Sequence, residues 1–139
     1  MTAGTAAAPF SSVLEFAPML TAVACGRLHV TAVLQERGLP SGLIGDAAIV
    51  VSELLANAVA ASAVLPDRPP VTLRLTVAER AVTIEAWDHS PLDPELHDPD
   101  EDDEAGRGLT LVAALSNRWG FDRTGYRRKS VWAELALTG

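Results

Sequence analysis

The nine residues "VSELLANAV", Val51 to Val59, are nearly all aliphatic, yet they place a carboxylate, Glu53, and a carboxamide, Asn57, four positions apart. As a helix, this stretch projects both side chains from one face, a turn apart, so a polar pair is set into an apolar surface. The surrounding sequence supports the helix. Ser41 is a candidate N-cap, and Leu43, Ala47, Val50, Leu54, Ala58 and Ala61 fall on one stripe at helical spacing. Glu53, Asn57 and Asp46 lie along one margin of that stripe, at the edge of a core.

Outward from this helix the chain reads as alternating layers. "VLEF" at 13–16 is a short strand, and Pro18 opens a long helical segment ending at Gly38, with Gly26 an unfavourable residue inside it. "PDRPP" at 66–70 is a break. "VTLRLTV" and "AVTIEAWD" then alternate apolar and polar residues around "AER", which predicts a β-hairpin with Asp88 at a strand end. "GRG", Gly106 to Gly108, is followed by "LTLVAALSNRW", a helix expected to begin just after the glycines. "WGFDRT" and "SVWAELAL" are two closing strands joined through Gly125, with "YRRK" before the second. The order predicts an α+β fold, a two-layer sandwich with helices on one face of a mostly antiparallel sheet. Residues 1–12 are expected to be a flexible N-terminus and 13–139 a single domain.

Composition narrows the function classes. At 139 residues and 48% apolar, the chain can bury a core without disulfides, and a lone cysteine, Cys25, with no zinc-ligand spacing favours a reducing, cytoplasmic setting. The start lacks a basic leading segment and no uninterrupted run of about 18 apolar residues occurs, so neither export nor a membrane span is expected. Of the 18 acidic residues, eight lie in "DPELHDPDEDDE", Asp93 to Glu104, leaving ten to face 11 basic ones. The body is thus nearly neutral and the net charge of −7 belongs to a proline-broken, solvated loop. Without a basic stripe, no direct nucleic-acid partner is expected.

Four polar features gain meaning in combination. Gly106 and Gly108 allow backbone N–H groups at a helix start to approach an anion, with Arg107 adding a cation. Asn57 offers a neutral oxygen suited to a Mg²⁺ shared with phosphates, and Glu53 is placed to take a proton from an attacking hydroxyl. Asp88, an acceptor, suits the exocyclic amine of adenine. Together with Ser130 at the opening of the last strand, these residues describe an ATP site.

At this point "SELLANAV", "IEAWDHSP", "GRGLTLV" and "KSVWAEL" resemble the N-box, the two glycine boxes and the closing strand of the GHKL ATPase superfamily. More narrowly, they resemble its anti-sigma-factor serine/threonine kinases and the actinobacterial single-domain ATP-binding regulators. The resemblance implies a Bergerat-type fold with ATP between the N-box helix and a lid at 91–106. It implies Glu53 as general base, Asn57 as Mg²⁺ ligand and Asp88 as adenine contact. Ser90, Gly106, Arg107, Gly108, Leu109 and Ser130 complete the implied nucleotide site, and Arg27 matches an arginine that faces the γ-phosphate or the partner. The implied partners are a sigma factor and a small anti-anti-sigma protein of the STAS type, phosphorylated on serine or threonine. The apolar 13–34 region permits a homodimer. Departures are Ala60 and Ala61 where a basic residue or histidine is usual, Ser90 in place of a glycine, and the bulky "GYRRKS" before the last strand. These leave a second function open: a non-catalytic partner-binding module of the same fold with weak or lost ATP binding.

Overall fold

The computed structural model describes residues 8–94, 104–125 and 128–137, and only the backbone of 104–107. The expected acidic lid therefore lies mostly outside the described residues, as do His97, Tyr126 and Arg127. Eight elements follow one another: β1 Phe10–Phe16, α1 Leu20–Glu36, α2 Ser41–Ala63, β2 Val71–Val77, β3 Ala81–Asp88, α3 Glu104–Leu115, β4 Arg118–Arg123 and β5 Lys129–Ala136. The strands form one sheet in the order β1-β2-β3-β5-β4 with every neighbour antiparallel. This is the α+β architecture expected from the sequence.

The period-two pattern sets the inner face. Leu73, Leu75, Val77, Val82, Ile84, Ala86, Val131, Ala133 and Leu135 all point to the helices and are buried. Against them lies α2, whose Ala47, Val50, Val51, Leu54, Leu55, Ala58 and Val59 are buried in turn. That stripe is wider than the sequence spacing suggested, because α2 is covered by α1 on one flank and α3 on the other. α2 is long and apolar enough in composition to cross a bilayer, but here its apolar residues are the centre of the sandwich. Its C-terminal end is tied down by Ser62, whose hydroxyl donates to the Pro69 carbonyl beyond the break.

Three of the boundaries that differ from expectation bear on the core and the cleft. β1 begins at Phe10 rather than Val13, since Phe10 and Ser12 continue the inward alternation and Ser12 Oγ bonds His29 Nε2 of α1 at 2.8 Å. Pro40, not Ser41, holds the N-cap position of α2, and no side-chain cap bond forms. α3 begins at Glu104, ahead of the glycines. The end of α1 is as expected: Gly38 has φ +73, and the N–H groups of Gly38 and Leu39 reach back to Gln35 and Leu34 carbonyls. That is the Schellman arrangement, which favours glycine.

Gly26 has a packing role that outweighs its poor helix propensity. A Cβ there would overlap Leu55 Cδ1 and stand 3.3 Å from Leu73 Cδ2. Both leucines are fully buried, so neither can move without opening a void elsewhere. Gly26→Val is therefore expected to destabilise the fold by about 1–3 kcal/mol through overpacking, despite the helix preference gained. A lower urea midpoint at unchanged slope checks this; an unchanged midpoint shows that α1 docks elsewhere.

Candidate functional site

A cleft of about 940 Å³ opens between α2, the ends of β3 and β5, the start of α3 and the segment following β3. A shallower hollow of about 480 Å³ between α1 and α2 is lined by Thr31, Gln35, Ile44 and neighbours, with no titratable group. Chemistry is concentrated in the larger one. Its walls are apolar, built from Leu54, Ala58, Ala86, Leu109 and Val131, and its polar groups are few: Asn57, Asp88, Ser90, Asp93 and Lys129. A flat heterocycle suits such walls, with its polar edge turned to the buried carboxylate.

Each side chain is positioned by the fold around it. Glu53 and Asn57 are half-buried on α2, at the core margin. The start of α3 comes against them at Gly108: a Cβ there would stand 2.7 Å from Glu53 Oε2 and 3.7 Å from Asn57 Nδ2. Gly108 thus brings the start of α3 up to the polar pair, and a side chain there would displace the Glu53 carboxylate. Gly106 and Gly108 lie inside the first turns of α3 rather than in a turn before it. The N–H groups free to meet an anion are then those of the helix's first turn. The side chain of Arg107 lies outside the described residues.

Asp88 sits at the floor, 2% exposed. Its Oδ1 accepts the Ser90 N–H at 2.8 Å and faces Lys129 Nζ at 3.4 Å. Burial pushes its carboxyl above the ordinary aspartate value, opposed by the Ser90 N–H and the Lys129 ammonium. Ser90 is buried in the turn itself, donating its N–H to Asp88 while its hydroxyl accepts from Leu92 N–H at 3.1 Å. This explains why serine stands at a position where glycine was the expectation: the hydroxyl satisfies a backbone donor locally. Leu109 is buried and lines the cleft. Arg27, on α1, donates to Ser52 Oγ at 3.2 Å, which holds it against α2 at the residue preceding Glu53.

Ser130 is not brought to the cleft. In the β3–β5 register Asp88 pairs with Lys129 and Trp87 with Ser130, so Ser130 shares a face with Trp87, away from α2. A strand offset of one residue reverses the face, and the cleft-facing place belongs to Lys129. Lys129 is 5% exposed, and its Nζ also donates to the Leu92 carbonyl at 2.7 Å. The sequence held the signal for it, because Val131, Ala133 and Leu135 fix the inward parity of the strand and Lys129 shares it. Arg123 was likewise not anticipated. It binds the carbonyls of Ser90 and Pro91 at 3.1 and 2.8 Å and the Asp93 carboxylate at 2.7 Å. Two cations from the last strands thus hold the segment leading out of β3, which lines the cleft.

The donor set is compatible with a nucleotide and Mg²⁺. Asn57 supplies a neutral oxygen, the glycine cradle admits a helix start, and the apolar walls end in a buried acceptor. A sequence profile of the histidine kinase-like ATPase domain matches residues 16–134. No curated protein sequence matches significantly. Among solved structures, the RsbU and RsbW domains of Rv1364c from Mycobacterium tuberculosis are similar, with a TM-score of 0.67 over 91% of this chain at 18% identity. This chain spans 32% of that one, and the likeness at such identity is one of fold.

Proposed function

We propose, from the premise that this chain belongs to the histidine kinase-like ATPase domain family, that it is a cytoplasmic anti-sigma-factor-like regulator. In this reading it binds ATP and phosphorylates a serine or threonine of an anti-anti-sigma partner, sequesters a sigma factor, or does both. Family membership implies ATP binding. The kinase assignment draws on one observation above all: Glu53 stands where α3 meets α2 at Gly108, one helical turn before Asn57, which lines the same apolar cleft as Asp88.

The residues divide the work by position. Apolar walls from Ala58, Ala86, Leu109 and Val131 hold the base and exclude water. Asp88 would accept a hydrogen bond from its exocyclic amine, Asn57 would ligate Mg²⁺, and the first turn of α3, with Arg107 as the resemblance implies, would meet the phosphates. Bound MgATP supplies the phosphoryl group and the cation that neutralises its charge. Glu53 takes the proton of the partner's hydroxyl as that oxygen forms its bond to phosphorus; the bond from phosphorus to the bridging oxygen breaks, and ADP carries the electron pair away.

The alternative, a partner-binding module without catalysis, draws on Ala60 and Ala61, both of which line the cleft where the resemblance calls for a polar contact to nucleotide. Calorimetric titration with ATP and Mg²⁺ separates the two. Saturable 1:1 binding is expected, dependent in its enthalpy on Mg²⁺. No heat at millimolar nucleotide removes the ATP reading and leaves the module.

A further inference from the structure

The least expected group in the cleft is a lysine on its floor. Lys129 is 5% exposed and lines the cleft with Ala86, Val131 and Leu109, and a lysine is rarely placed so unless its ammonium is needed there. An ammonium has three N–H donors. One goes to the Leu92 carbonyl at 2.7 Å and one faces Asp88 Oδ1 at 3.4 Å. Among the described residues no group takes the third. Asp88 is in the complementary condition: Oδ1 serves Ser90 N–H and Lys129, while no described hydrogen bond involves Oδ2. Acceptor and donor therefore stand side by side on paired strand residues that line one largely apolar cleft.

Building on the reading that the cleft takes a nucleotide, we propose that Lys129 is a specificity-determining residue. With Asp88 it reads the Watson–Crick edge of adenine, Asp88 accepting from the exocyclic 6-amine and Lys129 donating to ring N1. That edge presents a donor beside an acceptor, the complement of the Asp88–Lys129 pair. A lysine serving only to hold the segment after β3 would need the Leu92 contact and nothing more. Arg123 already makes three contacts to that segment, so the clamp does not by itself require a cation in the cleft.

The test compares ADP with 1-deaza-ADP, in which a C–H replaces N1, by calorimetry on the full chain with Mg²⁺. The wild type is expected to bind 1-deaza-ADP about tenfold more weakly than ADP, the size of one hydrogen bond to a charged donor. Lys129→Met, which keeps length and loses the ammonium, is expected to bind both ligands alike, at the weaker affinity. Equal binding of the two ligands by the wild type overturns the proposal without any variant having to fold. So does a folded Lys129→Met that still prefers ADP tenfold. A wild type that binds no ADP at all removes the nucleotide reading along with this one, whereas binding without discrimination removes this one alone.

Discussion

Glu53→Gln is expected to lower phosphoryl transfer by about a hundred- to ten-thousand-fold, the usual contribution of a general base, while nucleotide affinity holds or rises slightly. Glutamine is the informative replacement because Glu53 Oε2 fills the space that Gly108 leaves open, and an amide of the same shape keeps that contact. Alanine would instead open a gap where α2 and α3 meet, mixing a packing defect into the result. With Gln the helix contact persists and only the base is lost. Removing a carboxylate beside a triphosphate also removes a repulsion, which is why affinity should not fall. Labelled phosphate transfer to the partner, run beside a calorimetric titration, reads both quantities. Transfer at wild-type rate in a variant that binds ATP would take Glu53 out of the chemistry and turn attention to Asp46 on the same helix margin.

Periodic features were the ones that could be read directly from the sequence. α2 announced itself through Leu43, Ala47, Val50 and Leu54, and the hairpin through alternation on both sides of "AER", because burial on one face imposes those periods. Errors arose where local chemistry and tertiary packing disagree. Gly106 and Gly108 read as a break, since glycine is a poor helix former, but α3 starts before them, where an acidic residue, Glu104, suits a helix N-terminus. Gly108 is where α3 comes up to the Glu53 side chain of α2, a fact no local window contains. Residue type and motif point to Ser130, whereas parity with Val131 and Leu135 puts its neighbour Lys129 on the inner face. The sequence therefore carried the Lys129 signal, and a motif outweighed it. Gly26 is similar: read as a helix weakness, it is the point at which α1 lies closest to Leu55.

Asp88→Ala should have the second large effect, and the Lys129 pairing gives it two separable parts. Removing the acceptor for the base amine is expected to weaken ADP binding by about ten- to a hundredfold. It also strands the Lys129 ammonium in a largely apolar cleft, at a cost of about 3–5 kcal/mol for an orphaned buried charge. The double variant Asp88→Ala/Lys129→Met should recover most of the stability and none of the affinity; recovery of affinity would mean that Asp88 serves the fold and not the ligand. Titration supplies an independent check, because burial holds the Asp88 carboxyl above its ordinary value. Between that ordinary value and the raised one, the folded state keeps a proton that the unfolded chain has released, so Asp88's contribution to stability falls as pH rises through the window. Nucleotide affinity runs the other way, since deprotonation removes the carboxyl's own O–H donor and makes it a charged, stronger acceptor. Denaturant midpoints and ADP affinities measured across the same acidic range should show these opposite slopes in the wild type, and the double variant should lose the Asp88 component of both.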